Sequence, residues 1–392
     1  MQQIRMGIVG VGNMGSAHVK RFLSGECPQI QLTAVADIDP TRLAWAKEQL
    51  PTVKTFDSAD ALFQSGEVDA VLIATPHYFH PPMCRAALEA GLHVLCEKPA
   101  GVYTKNVHEL NEFAKTQNKT FAIMFNQRMN PLYQKMREIV KGGEWGELKR
   151  ANWIITNWFR TQYYYNSGGW RATWSGEGGG VLLNQCPHQL DLWQWICGMP
   201  SKIRAVCREG KWHDIEVEDD VMIYAEYPNG ASGVFITTTG DCPGTNRLEI
   251  TLEKAKLVCE DDKLMMAKLP MSTSEFIRTA SDGFAKMEYT YEEVPCPGEN
   301  SQHTGICNAF AAHILNGTPL SALGEEGING LSISNAAFLS SWTGQDITLA
   351  DGENPMAAHE DEFLSLLRDK IAHSKAKTTV NTGVQSDMSS TY

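Results

Sequence analysis

From Ile4 to Asn126 short apolar runs alternate with segments whose apolar residues recur every three or four positions. The runs IRMGIVG (4–10), QLTAVAD (31–37), DAVLIAT (69–75), HVLCEK (93–98) and TFAIMFN (120–126) have the length and the β-branched content of buried strands. Between them MGSAHVKRFLSG, TRLAWAKEQL, PPMCRAALEAG and NVHELNEFAKTQ carry helical spacing. Strand alternating with helix implies parallel strands joined by crossover helices. Residues 1–126 are therefore predicted to form a doubly wound α/β domain.

After Pro131 the pattern changes. One helix, LYQKMREIVKGG, leads to the strand-like GELKRANWIITNW, a long aromatic loop, and a second helical run, GGGVLLNQCPHQLDLWQWICG. From about 219 to 292 apolar and polar positions alternate, which is the period of a half-buried strand. Val221, Ile223, Ala225 and Tyr227 share one face, and the PNG that follows predicts a hairpin. NRLEITLEKAKLVCED predicts another. Residues 127–372 are expected to form an α+β domain with a large, mostly antiparallel sheet, one face covered by helices such as CNAFAAHILNG and GLSISNAAFLSSWTG. Residues 373–392 are polar and nearly without apolar periodicity, the composition of a flexible tail.

Composition narrows the partners. The chain has 392 residues, enough for two cores, and a formal net charge of -12 with no dense Lys/Arg block. Nucleic acid and anionic membrane are thereby disfavoured, and a small molecule is the expected partner. The ten cysteines show no repeating ligand spacing, and MQQIRMGIVG lacks a charged-then-apolar leader pattern. Reduced thiols in a cytoplasm are the expectation. No apolar run reaches the roughly 18 residues of a membrane span.

The first motif with chemistry is GIVGVGNMGSAH. Gly10, Gly12 and Gly15 form G-x-G-x-x-G, with Asn13 and Met14 between the last two, directly after a strand and opening a helix. Such a turn brings backbone close to a pyrophosphate and aims a helix N-terminus at it. Strand two ends at Asp37, whose carboxylate is placed to accept the adenosine ribose hydroxyls and to repel a 2′-phosphate, favouring NAD over NADP. An N-cap for the helix after DIDP is the alternative role for Asp37.

Lys98, in VLCEKPA, falls at the carboxyl end of a strand, the edge at which open α/β sheets bind ligands. There it can hydrogen-bond a reacting oxygen; a solvent-facing lysine is the plainer reading. In NQCPHQLD, residues Asn184, His188 and Asp191 are spaced i, i+4 and i+7, one stripe of a helix whose other positions are mostly apolar. His188 suits a proton acceptor near neutral pH, with Asp191 one turn on to orient it, and a satisfied core histidine is the alternative. Pro187 is expected to kink this helix by clashing with the Leu183 carbonyl. Cys186 and His188, two residues apart, point to opposite sides and do not make a metal pair. The loop NWFRTQYYYNSGGWRATWSGEGGG (157–180) is dense in aromatics, and Arg160, Tyr163, Trp170, Arg171 and Trp174 are its candidates for stacking on and hydrogen-bonding a sugar, unless they pack the domain interface.

Together GVGNMGSAH, ATPHYFHPPMCRAALEAGLHVLCEKPA, NPLYQKMREIVKGGEWGEL and GGGVLLNQCPHQLDLWQWICG resemble, in order from about Ile4 to about Gln345, the glucose–fructose oxidoreductase / inositol dehydrogenase / rhizopine catabolism (Gfo/Idh/MocA) family. The resemblance implies an N-terminal Rossmann domain, a C-terminal open-faced sheet often used for homo-oligomerisation, and hydride transfer between NAD(P) and a sugar or polyol. It implies that Lys98 of the E-K-P element is the catalytic lysine, that Pro99 follows a cis peptide bond, and that His188 is the catalytic acid/base. It places Thr75, Pro76 and His80 along the nicotinamide pocket, with Glu97 and Lys98 at its border. His77 stands where many relatives carry Asn, and a surface turn is its other reading.

Asn184 departs from the Asp of many relatives, which leaves hydrogen bonding to a substrate hydroxyl as its role and Lys98 and His188 as the proton-transfer candidates. With NQCPH and SGGWRATW it resembles members that oxidise glucosides at the third sugar carbon. An inositol or polyol dehydrogenase, a redox-neutral enzyme that uses NAD transiently in glycoside cleavage or epimerisation, and a non-catalytic nicotinamide-binding regulator are the alternatives.

Overall fold

The computed structural model describes residues 2–374. Six parallel strands, β1 (Ile4–Val9), β2 (Ile30–Ala36), β3 (Lys54–Phe56), β4 (Ala70–Ile73), β5 (His93–Cys96) and β6 (Phe121–Ile123), form a sheet in the order β3-β2-β1-β4-β5-β6. The doubly wound prediction holds, with one correction: the hydrophobic pattern gives five strands and the structure has six. The added strand, β3, is a three-residue edge strand with no buried residue, so it carries no apolar run to read. Lys98 accordingly follows the fifth strand. The order reverses between β1 and β4, and the crevice at such a reversal is where these sheets take ligands.

The second sheet has nine strands. They are β7 (Leu148–Ile155), β8 (Lys202–Glu209), β9 (Glu218–Glu226), β10 (Ser232–Thr238), β11 (Asn246–Leu252), β12 (Ala255–Glu260), β13 (Lys263–Lys268), β14 (Tyr291–Glu293) and β15 (Ile347–Thr348), in the order β14-β13-β12-β11-β7-β10-β9-β8-β15. Only β7 and β10 pair in parallel; the other neighbours are antiparallel. Both predicted hairpins are present. Val221, Ile223, Ala225 and Tyr227 are buried, while Met222 and Tyr224 on the opposite face are 55% and 44% exposed.

Of the two helices expected to cover this sheet, Gly327–Thr343 does so, and its Ser340 and Ser341 hydroxyls accept the Ala205 and Cys207 N–H groups of β8 at 3.0 and 2.9 Å. The helix Gln302–Asn316 does not. It lies against the first domain, where Thr304 and Asn308 donate to the Glu26 carboxylate and carbonyl at 2.8 and 3.0 Å. Apolar periodicity shows that a helix has a buried face but not which layer buries it. The chain then pairs Leu323 with Ala122 of β6 before returning to the second sheet. One continuous hydrophobic cluster joins Met6 and Leu95 of the first sheet to Trp153 and Phe235 of the second.

The run GGGVLLNQCPHQLDLWQWICG is also corrected. Residues 181–185 are turns, and the helix spans Pro187–Cys197. Pro187 occupies the first helical turn, where its missing N–H and fixed φ suit helix initiation. It starts the helix and does not kink it, and Asn184 lies outside the helix. No helix among the described residues is long and apolar enough to cross a membrane. The polar segment from 375 onward lies outside the described residues.

Candidate active site

The turn after β1 requires its glycines. Gly10 has φ +87°, and a Cβ there would come within 2.6 Å of the Ala74 carbonyl oxygen; a Cβ on Gly15 would sit 1.8 Å from the Gly10 oxygen. Both positions are closed by backbone. Gly12 differs: a Cβ there would meet nothing within 4 Å, so the outer surface of the turn is open. The helix Asn13–Leu23 begins at Gly12 without a side-chain cap, leaving its first amides directed at that open surface. A pyrophosphate fits this cradle. Asp37 accepts from Val11 N at 2.8 Å and Asp39 N at 2.9 Å, so its carboxylate fixes the turn. The N-cap of the next helix is Asp39.

At the end of β5, Glu97 and Lys98 diverge. Glu97 is buried and accepts from His18 Nε2 at 2.7 Å, and its backbone leads into a cis Lys98–Pro99 bond. Because Arg21 can only donate, its contact with His18 Nδ1 at 2.8 Å fixes the His18 proton on Nε2. Burial works against the Glu97 charge, but the His18 hydrogen bond, with the Lys98 charge nearby, holds its pKa down, to about 2. Thr75 and Pro76 form the loop after β4. His80 lies beneath that loop, and its two ring nitrogens meet the Pro99 and Thr75 carbonyl oxygens at 2.7 Å each. A carbonyl accepts only, so both nitrogens carry protons. Burial opposes this charge, yet Cys96 and the two carbonyls raise the His80 pKa to about 9. His80 thus braces Thr75 and Pro99 from below the pocket.

The second domain brings Asn184 and His188 to this edge. The Glu218 carboxylate accepts Gly180 N at 2.7 Å and Leu182 N at 2.9 Å, which pins the triple-glycine turn ahead of them. Lys98 Nζ donates to the Asn184 carbonyl at 2.9 Å. His188 is fully buried and meets the Phe125 ring edge-on at 6.4 Å. Burial and the Lys98 charge push its pKa well below the ordinary histidine value, so its ring is neutral. Asp191 does not orient it. That carboxylate accepts from Arg128 Nε and Nη2 at 2.7 and 2.6 Å, and Oδ1 also accepts from Gln194.

The aromatic loop divides. The Arg160 guanidinium lies 5.8 Å from the Trp158 ring and 5.1 Å from Tyr164; that of Arg171 lies 4.5 Å from Tyr164 and 4.9 Å from Trp170. Trp170 in turn meets His77 edge-on at 5.9 Å. This alternating ladder of rings and cations leads to His77 of the first domain. His77 is buried, not a surface turn, and its Nδ1 donates to the Glu177 carbonyl at 3.0 Å. Tyr163 is 56% exposed at the outer edge of the loop. Trp174 is 2% exposed, packed edge-on against Phe338 and Trp342 with ring centres 5.5 Å away, which makes it a core residue of the second domain.

Glu177, Glu218 and Arg128 escaped the sequence reading. Glu177 had one visible signal, a lone charge inside the glycine-rich GEGGG, whereas nothing local marks Glu218 and Arg128, whose partners are distant in sequence.

Two family models match the chain: an oxidoreductase family with an NAD-binding Rossmann fold over residues 4–125, and the GFO/IDH/MocA C-terminal domain over residues 133–258. The chain is 30% identical to the trans-1,2-dihydrobenzene-1,2-diol dehydrogenase of Mus musculus over 235 residues, 59% of this chain and 67% of that one. It is 28% identical to an inositol 2-dehydrogenase of Corynebacterium glutamicum over 236 residues, 58% of this chain and 65% of that one, so the match spans just under two thirds of that relative. In three dimensions it overlays a levoglucosan dehydrogenase solved with NADH and levoglucosan, with a TM-score of 0.75, covering 88% of this chain and 99% of that one at 20% identity.

Proposed function

Since the chain belongs to the Gfo/Idh/MocA oxidoreductase family and carries its NAD-binding Rossmann domain, we propose that it is an NAD-dependent dehydrogenase acting on a secondary ring hydroxyl of a sugar or glycoside, and most specifically on the third carbon of a glucoside. When bound, NAD supplies the nicotinamide ring that takes up the hydride. The Gly10–Gly15 turn and Asp37 would hold it, with Thr75, Pro76 and His77 along its reactive end.

The observation that carries this reading is the junction of Lys98, Asn184 and His188. The bond from Lys98 Nζ to the Asn184 carbonyl orients the ammonium, which hydrogen-bonds the substrate oxygen as it becomes an alkoxide. His188, neutral and buried beside that cation, accepts the hydroxyl proton; the Lys98 charge, which resists protonation of the ring at rest, also stabilises the oxyanion left behind. The Trp158–Arg160–Tyr164–Arg171–Trp170 ladder offers ring faces and guanidinium donors suited to the C–H and O–H surfaces of a sugar. The named substrates of an inositol 2-dehydrogenase and a levoglucosan dehydrogenase among the similar proteins are polyol and sugar, which supports the class.

The test is the absorbance of reduced nicotinamide when purified protein meets NAD with a panel of glucosides, free sugars and inositols. Reduction with glucosides, and formation of a 3-keto product, supports the specific reading. Reduction with inositols alone replaces it with a polyol dehydrogenase. Absence of reduction, with cofactor that co-purifies, removes the dehydrogenase reading in favour of redox-neutral chemistry.

A further inference from the structure

Glu177 is 1% exposed, and its carboxylate is surrounded by donors. Oε2 accepts the Ala172 N–H at 2.5 Å, Oε1 accepts the Asn184 side-chain amide, and Arg171 Nη1 lies 3.7 Å away. Its backbone carbonyl takes the His77 ring N–H. One residue therefore touches the segment before the helix Pro187–Cys197, the substrate loop and the loop of the first domain. Ala172 is held at φ +54°, a left-handed conformation that a residue with a Cβ adopts only when its surroundings impose it. The Glu177 bond is part of what imposes it.

The chemistry of this contact fixes the orientation of Asn184. An ionised carboxylate can only accept, so the Asn184 NH2 must face Glu177 and its Oδ1 must face away from it, and the residue is partly exposed. The backbone carbonyl of the same residue holds Lys98. We propose that Glu177 is a positioning residue that presents Asn184 Oδ1 as a hydrogen-bond acceptor for a substrate hydroxyl, and that it supplies one hydrogen bond further out the negative charge that position 184 lacks. This inference rests on the dehydrogenase reading above and adds a specificity to it: the substrate carries a hydroxyl that donates to Asn184. A sugar deoxygenated or O-methylated there loses the interaction.

The test exchanges the charge and the amide. In Glu177→Gln the new amide presents a donor to Asn184, which flips to accept it and turns its own NH2 to the substrate; kcat/KM falls about thirty-fold, chiefly through KM. In Asn184→Asp two carboxylates meet and share a proton, so activity acquires an ionisation absent from the wild type. In the double variant Glu177→Gln/Asn184→Asp the amide at 177 accepts Ala172 N–H and donates to the carboxylate at 184, restoring every bond. Its kcat/KM returns to within about threefold of wild type, a rescue that independent structural damage cannot give, since unrelated losses multiply. A double variant no better than its worse parent overturns the proposal. The substrate is methyl β-D-glucopyranoside, or myo-inositol if the wild type oxidises only a polyol. Absence of wild-type turnover on both would fail the dehydrogenase reading instead, and the pair is then read without substrate by melting. Asn184→Asp melts lower, relative to wild type, as pH rises from 5 to 8, because its shared proton is lost, and the double variant does not; parallel melting curves for Asn184→Asp and wild type overturn the proposal.

Discussion

Arg128 and Asp191 face each other through two N–H···O bonds of 2.7 and 2.6 Å, with side chains 1% exposed on both partners. Arg128 follows the last strand of the first sheet, Asp191 sits on the helix Pro187–Cys197, and Glu326, 2.7 Å from Arg128, joins from the segment that returns to the first domain. The pair thus fastens the helix bearing His188 to the segment that leaves the last strand of the first sheet. A buried charge left without its partner costs far more than the pair contributes. Asp191→Asn should therefore lower the stability to denaturant by about 3 kcal/mol, while the pH profile of turnover keeps its shape because the carboxylate does not touch His188. An altered profile would restore Asp191 to the proton path.

Lys98→Ala and His188→Ala should each reduce kcat by at least about a thousandfold, the scale of losing a charge stabiliser or a general base. NAD titrated by fluorescence should bind both variants within about threefold of wild type. Near-normal turnover in both would remove the proposed chemistry.

Asp37 accepts from Val11 N, and the proposed function gives it a second duty toward the adenosine ribose. Asp37→Ala should raise the KM for NAD about tenfold and bring the KM for NADP closer to it, because the carboxylate that repels a 2′-phosphate is gone. Steady-state KM values for the two cofactors check this; an unchanged ratio would leave Asp37 as a turn residue alone.

Buried histidines give the stability opposite slopes on the two sides of neutrality. His303 is depressed to about 3 by burial, and His77 and His188 are pushed well below 6.5 by the same cause. Below 6.5 the unfolded chain binds protons that the folded chain refuses, so each ring removes about 1.4 kcal/mol per pH unit as pH falls. His80, raised to about 9, acts in the other sense: its contribution is complete below 6.5 and is lost as pH rises through 9. Relative to wild type, His303→Asn should flatten the fall in melting temperature between pH 6.5 and 5, and His80→Asn should flatten the fall between 7 and 9. Parallel curves would refute the assigned charge states.

The legible parts of this chain were those whose cause is local. The Gly10–Gly15 turn is dictated by what a Cβ would strike within the turn and its neighbouring strand end, and Asp37 and Lys98 stand at strand ends that the apolar runs themselves mark. The alternation from Val221 to Tyr227 specified which face of its strand is buried. Pro187 was misread because one proline satisfies two local rules, ending a helix or beginning one, and the choice depends on how Glu218 pins Gly180 and Leu182 into turns ahead of it.

The sequence by itself determined the doubly wound domain, the dinucleotide cradle and the mainly antiparallel second sheet, because each follows from periodicity or backbone freedom, and it singled out Lys98 and His188 for the proposed proton transfer by their side-chain chemistry. Only the tertiary structure decided that Asp191 belongs to Arg128, that Gln302–Asn316 packs on the first domain, that Trp174 is core, and that Glu177 orients Asn184. Those outcomes depend on desolvation. A carboxylate taken out of water must find donors wherever the fold supplies them, and for Asp191 the partner, Arg128, lies 63 positions away along the chain.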